Sequence, residues 1–136
     1  MDNLDPLRRS KNMRRIRSKN TKPELVVRKI VRSLGFTGYR IHRKDIPGKP
    51  DLAWIGRKLA IYVHGCFWHG HNCKEGVRKP KSRADYWISK IERNRQRDHT
   101  QQVTIESLGW RVLVIWECEL RNGNEVATRI KHFILQ

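Results

Sequence analysis

Two thiols and three imidazoles stand within the ten residues His64-Gly-Cys66-Phe-Trp-His69-Gly-His71-Asn-Cys73, and Cys118 is the third and last cysteine of the chain. Thiolates and imidazoles are the donors that Zn2+ prefers. Cys66, Cys73 and Cys118, joined by either His69 or His71, would close a four-coordinate Cys3His tetrahedron with no open position, which is the form of a structural rather than a catalytic zinc site. The bland alternative is a set of buried free cysteines with surface histidines. One histidine completes the tetrahedron, so two imidazoles are left for other chemistry.

A second constellation begins at Pro47-Gly48-Lys49-Pro50, which reads as a turn delivering Asp51 to the start of a strand. With Gly56-Arg57 as the central pair of a hairpin turn, Ile55 pairs with Lys58 and the register sets Asp51 opposite Tyr62. His64, two residues beyond Tyr62, then projects on the same face of the sheet as Asp51. An aspartate and nearby imidazoles are the ingredients of a Mg2+-dependent phosphodiesterase: a hard carboxylate to hold the cation, and a group of ordinary pKa near ~6.5 to move protons. Asp51 could also merely end the turn, and His64 could be a satisfied core histidine. Asp98 is the one carboxylate in a helical stripe shared with Ala84, Ile88, Ile91 and Ile105. Turned inward it needs a partner, for which a histidine is the best candidate; a small rotation would leave it on the surface.

Those residues must be carried by a scaffold. Thr21 to Leu34 reads as a helix with capping-box spacing between Thr21 and Glu24, Pro23 in its first turn, and Leu25, Val26, Ile30, Val31 and Leu34 inward. Tyr39 to Arg43, Asp51 to Ile55 and Leu59 to His64 read as strands. Ser82 to Leu108 reads as a long helix, Arg111 to Trp116 as the strongest strand and Val126 to Leu135 as a closing helix with Ile130, Phe133 and Ile134 inward. The order implies an α/β layer fold, and the helix between the last two strands implies a parallel connection. One domain fits the 136 residues.

Charge points to the partner. Thirty Lys and Arg against 13 Asp and Glu give +17, with mean hydropathy −0.75. That raises affinity for polyanions, nucleic acid foremost. No apolar run is long enough to span a membrane and no secretory signal opens the chain, which places the protein in the cytoplasm. The first twenty residues form a basic arm, with Lys11, Arg14 and neighbouring cations suited to phosphates and an apolar cluster at Met13 and Ile16. Phe67, Trp68 and Trp87 lie among basic and polar residues, where large rings suit stacking on bases or wedging between them. Trp110 and Trp116 read as core packing.

Taken together, RSKNMRRIRSKNTKPE (Arg9 to Glu24), IPGKPD (Ile46 to Asp51), VHGCFWHGHNC (Val63 to Cys73), YWISKIERNRQRD (Tyr86 to Asp98) and LGWRVLVIWECEL (Leu108 to Leu120) resemble the very short patch repair (Vsr) endonucleases over nearly the whole chain. The resemblance implies a restriction-endonuclease-like single domain of the PD-(D/E)XK class, a mixed central sheet flanked by helices over residues 21–136, with a structural zinc and a DNA-clamping arm at 1–20. It implies nicking of one strand of double-stranded DNA 5′ to the thymine of a T:G mismatch left by 5-methylcytosine deamination, with Mg2+ as catalytic cofactor. It also implies a monomer acting at the nucleoid, with the mismatch-repair protein MutL a candidate partner.

Residue by residue, Asp51 matches the Mg2+-binding aspartate, aided by the backbone of Val63. His69 matches the general base, Asp98 its supporting carboxylate, and His64 and Glu24 further active-site members. Cys66, His71, Cys73 and Cys118 match the zinc ligands. Phe67, Trp68 and Trp87 match an aromatic wedge entering from the major groove, and Met13 an arm residue entering from the minor groove. The second carboxylate and the lysine of the PD-(D/E)XK class are missing, since the third strand ends in Val63-His64. Some family members carry threonine where Val63 stands; a backbone carbonyl can bind Mg2+ whichever side chain is present.

Overall fold

The computed structural model describes residues 20–77 and 83–136. The expectations for Lys11, Met13 and Arg14, and for nearly all of the basic arm, lie outside the described residues, as does the start of the long helix at Ser82. Helix α1 spans Lys22–Ser33, strand β1 Leu52–Trp54, strand β2 Leu59–His64 and the short helix α2 Lys74–Val77. Helix α3 spans Ala84–Ser107, strand β3 Arg111–Trp116 and helix α4 Gly123–Leu135, with 3-10 turns at Ile55–Arg57 and Glu117–Arg121.

The strands form a mixed sheet in the order β1-β2-β3. β1 runs antiparallel to β2, and β3 runs parallel to β2 in the register Leu59↔Arg111 to His64↔Trp116. The expected parallel connection is therefore present. Side chains alternate across a strand, and here both faces are covered. Leu52, Trp54, Leu59, Ile61, Val63 and Ile115 pack against Val27 and Val31 of α1 and Val126, Ile130, Phe133 and Ile134 of α4. Ala53, Ala60 and Tyr62 pack on the other side with Ile46 and with Ile105 of α3. The result is a three-layer α/β arrangement, and the α3 face of the sheet is the one that Asp51 and His64 share by parity.

Two local expectations are corrected. Tyr39 to Arg43 is not a strand: Arg40 alone makes a bridge, to Ala53, and His42 takes a left-handed backbone conformation, φ 52°, that ends any extended run. The two-residue hairpin at Gly56-Arg57 is a 3-10 turn closed by left-handed Lys58. The wider loop leaves the register untouched, because Trp54 pairs with Leu59 and Leu52 with Ile61, which carries Asp51 to Tyr62 as expected.

On α1, Leu25 is exposed while Glu24, Val27 and Val31 are buried. The helix is rotated toward a face that aims its first-turn carboxylate at the sheet. On α3, Ile91 and Ile105 are buried but Ile88 is half exposed. At about 1.5 Å per residue this 24-residue helix is roughly 36 Å long, whereas six-residue strands reach only about 20 Å. Its first turns therefore overhang the sheet, beside the segment that follows β2.

Candidate active site

The Pro47-Gly48-Lys49-Pro50 turn presents Asp51. Lys49 donates its amide to Ile46 O at 3.0 Å, and Tyr62 donates its hydroxyl to Pro47 O at 2.5 Å. Gly48 has φ 78°, and a Cβ there would meet the Tyr62 ring at 2.9 Å, so this position requires glycine. The turn is thus clamped onto β2. Asp51 Oδ2 accepts the Val63 amide at 2.6 Å. Burial pushes the Asp51 carboxyl up to about 8, opposed by that hydrogen bond and reinforced by the neighbouring Glu24 carboxylate.

Glu24 serves two ends. Its amide donates to the Thr21 cap, and its carboxylate accepts from the amide of Asn20 at 2.7 Å, one residue before the capping-box position. The same Oε2 pairs with Arg28 at 3.1 Å and with His42 Nε2 at 3.0 Å, and His42 Nε2 lies 3.9 Å from Asp51 Oδ1. The capping and active-site readings of Glu24 are therefore compatible, because the rotated α1 brings its first turn to Asp51. Glu24, His42 and Asp51 offer donor atoms all within 4.8 Å of one another. Two carboxylates meeting in a buried pocket call for a cation between them, and the oxygen donors suit a hard divalent ion.

His64 and His69 stack face to face, ring centroids 3.9 Å apart and 1° from parallel. His69 Nδ1 is 2.5 Å from Asp98 Oδ2. Asp98 is thus turned to a histidine, the inward of the two placements that the helical stripe left open. The pairing leaves Nε2 as the ring nitrogen available for proton transfer. Burial, assisted by the adjacent His69, pulls His64 down to about 4, so this imidazole is neutral at physiological pH. Its buried Nδ1 has no hydrogen-bond partner among the described residues.

Asp51, Glu24, His64, His69 and Asp98 line one cavity of about 500 Å³, which Lys44, Lys49 and Arg97 edge with positive charge. A second cavity of about 520 Å³ shares Glu24, Val63, His69 and Arg97 with it and reaches Trp68. The cavity of the carboxylates and the cavity beside Trp68 are therefore neighbours.

Behind this pocket lies the thiol cluster. Cys66, His71, Cys73 and Cys118 bring one donor atom each within 4.8 Å of the others. Cys118 Sγ is 3.6 Å from His71 Nδ1. Bonds of about 2.3 Å to sulfur and 2.0 Å to nitrogen put tetrahedral donors roughly 3.5 to 3.8 Å apart, so the donors fit zinc. Of the two histidines left open by spacing, His71 stands with the thiols, while His69 is drawn to Asp98. Burial pushes the Cys66 thiol up to about 12, whereas the hydrogen bond with His71 draws Cys73 down to about 6. The 3-10 turn after β3 delivers Cys118, and Glu119 fixes that turn by accepting the Trp116 amide at 2.8 Å and pairing with Arg129.

Phe67, Trp68 and Trp87 form one cluster of edge-on rings, with centroids 5.2 to 5.7 Å apart. Asn94 donates to Trp68 O at 2.8 Å, one helical turn before Asp98 holds His69. A Cβ on Gly70, φ 62°, would meet Ile91 at 2.7 Å, which shows how closely the segment after β2 lies on α3.

Three residues exceed what the sequence suggested. His42 joins the carboxylates, although it sits in a stretch whose alternation read as strand. Tyr86 extends the aromatic cluster against Trp87, 5.1 Å away, with the Arg83 guanidinium over its ring at 4.7 Å. Trp116 is more than core packing: it stacks on His71 at 4.2 Å and meets His64 edge-on at 5.0 Å, and so joins the thiol cluster to the histidine pair.

Comparison with known proteins agrees with this arrangement. Residues 1–75 match the family model described as DNA mismatch endonuclease Vsr. The Type II nicking enzyme V.XorIIP of Xanthomonas oryzae pv. oryzae is 47% identical over 98% of this chain and 96% of its own length. V.NmeAIP, a Type II nicking enzyme of Neisseria meningitidis, is 45% identical over 93% of this chain and 89% of its own. The DNA mismatch endonuclease Vsr of Escherichia coli is 38% identical over 91% and 78%. The family match ends near Cys73, but these relatives continue through α3, which supplies Asp98, and past β3 to the turn that supplies Cys118. On that evidence the chain belongs to the Vsr family of DNA mismatch endonucleases, and it is an endonuclease.

Proposed function

We propose that the protein nicks one strand of duplex DNA on the 5′ side of the thymine in a T:G mismatch arising from 5-methylcytosine deamination, and so opens a short repair patch. The observation that carries the chemistry is the His69–Asp98 pair at 2.5 Å, facing the same cavity as Asp51 and Glu24. Relatives named nicking enzymes and a relative named a mismatch endonuclease support, respectively, single-strand cleavage and the mismatch as target.

Asp51 and Glu24, with the Val63 backbone beside Asp51, would hold Mg2+. The chemistry that a divalent cation held there would supply is Lewis-acid polarisation of the scissile phosphate and stabilisation of the departing 3′ oxygen. The protein's own groups do the remainder. Asp98 fixes the His69 tautomer and orientation, and His69 Nε2 takes the proton of the attacking water. Attack on phosphorus leaves a 5′-phosphate and a 3′-hydroxyl. His64, kept neutral by burial, stacks on His69 and limits its movement without adding a second positive charge.

Cys66, His71, Cys73 and Cys118 would hold a structural zinc, which would tie the turn after β3 to the segment after β2. Phe67, Trp68 and Trp87 wedge into the base step beside the mismatch, where a displaced wobble pair makes unstacking cheaper. Met13, Lys11 and Arg14 of the arm over residues 1–20 complete the grip from the minor groove and on phosphates. The domain over residues 21–136 has the restriction-endonuclease-like architecture and works as a monomer on nucleoid DNA in the cytoplasm, with MutL a candidate partner. Among the described residues no helix is long and apolar enough to cross a membrane.

The test is cleavage of end-labelled duplexes bearing each possible mismatch, with Mg2+ and with EDTA. A single Mg2+-dependent nick 5′ to thymine, fastest at T:G, is expected. Equal cleavage of matched duplexes, or breakage of both strands, would overturn the assignment.

A further inference from the structure

His42 lies outside every motif that pointed to the active site, yet its ring enters the carboxylate pocket. Its Nε2 is 3.0 Å from Glu24 Oε2 and 3.9 Å from Asp51 Oδ1, and the three donors fall within 4.8 Å of one another. Donors about 2.0 to 2.3 Å from one ion stand at most roughly 4.6 Å apart, so a slight contraction lets all three share a cation. The backbone is shaped around this placement. After Arg40 bridges Ala53 through two hydrogen bonds, the chain turns at His42 with φ 52°, a conformation that L side chains adopt sparingly.

We propose that His42 Nε2, Glu24 and Asp51 form a mixed nitrogen–oxygen cation site, which accepts transition ions such as Mn2+ in preference to Mg2+. The inference rests on Asp51 being the cation's carboxylate. It adds a third protein donor whose softness changes the selectivity: Mg2+ keeps an all-oxygen shell, whereas first-row transition ions take imidazole readily. If His42 were only a counter-ion for Glu24, its nitrogen would never contact the metal.

Mn2+ is the probe, because the thiol cluster favours softer ions. Pulsed electron paramagnetic resonance of the full chain with Mn2+ should show nitrogen hyperfine modulation that converts from the 14N to the 15N pattern when histidine is 15N-labelled. The signal should vanish in His42→Gln and persist in His69→Gln. His42→Gln should also weaken Mn2+ binding about tenfold and Mg2+ binding by less, which narrows the preference. Absence of the modulation from the unsubstituted protein, its survival in His42→Gln, or its loss in His69→Gln alone would overturn the proposal. Asp51→Asn separates the two layers of the argument. If it loses Mn2+ while His42→Gln binds normally, only the role of His42 fails; if Asp51→Asn binds Mn2+ unchanged, the reading of Asp51 as the metal carboxylate fails as well.

Discussion

The thiol cluster and the pocket of the carboxylates and paired histidines meet through Trp116, and they differ in kind. Cys66, His71, Cys73 and Cys118 bring together four soft donors from two distant parts of the chain, the number that a closed tetrahedron needs. Glu24, Asp51 and the histidine pair instead border an open cavity of about 500 Å³, where carboxylates leave positions for water and phosphate. In the proposed reading the closed, thiolate-rich site holds shape and the open, carboxylate-rich site does chemistry. Trp116, stacked on His71 and edge-on to His64, connects the two.

Breaking the open site should have the largest effect on cleavage. Asp51→Asn should lower single-turnover nicking by about a thousandfold or more, and His69→Ala by about 10²- to 10⁴-fold, with duplex affinity nearly unchanged in both when measured by anisotropy. Retained nicking in Asp51→Asn would remove the carboxylate pocket from the chemistry.

The same substitution sharpens the comparison through pH. The folded Asp51 carboxyl titrates near 8, above its unfolded value near ~3.9, so the unfolded chain holds fewer protons in between. In metal-free protein its contribution is fully present below pH ~4 and is lost as pH rises to about 8. Asp51→Asn should therefore raise the metal-free Tm by a few degrees more at pH 8 than at pH 5. Saturating Mg2+ should cancel that advantage, because the ion stabilises only the unsubstituted carboxylate.

Breaking the closed site should act on stability first. Cys118→Ser should lose zinc, measured by atomic emission, and lower Tm by about 10 °C or more, since structural zinc binding is coupled to folding. His69→Ala should keep one zinc per chain. Zinc loss in that variant would exchange the roles of the two histidines.

The smallest effect belongs to the aromatic edge. Trp68→Ala should narrow the ratio of nicking between T:G and matched duplexes by about tenfold, because the ring acts mainly where the step opens. An equal loss on both substrates would move selectivity to hydrogen bonds with the bases.

What the sequence could reveal follows the same division. Donor types and register are local, so the gathering of three thiols with one of two histidines and the pairing of Asp51 with Tyr62 were legible, whereas the choice between His69 and His71 was not; the register holds because four loop residues fill the same gap in either turn. Rotation of α1 was not legible: apolar residues surround Glu24, and burial of that carboxylate depends on the neighbours that helix packing supplies. His42 was hidden by its own stretch, whose alternating pattern suggests an extended strand and gives no sign of a left-handed residue. The second role of Trp116 needed the parallel register that sets it beside His64.

The division between a fixed soft centre and an exchangeable hard one can be tested on a single sample. The protein is treated briefly with EDTA, assayed on a T:G duplex under single-turnover conditions, returned to Mg2+ and assayed again, with bound zinc measured at each stage. The account predicts that nicking falls to background under EDTA and recovers fully with Mg2+ while zinc stays at one per chain. Nicking that continues under EDTA with zinc still bound, or that returns only when zinc is resupplied, would contradict it.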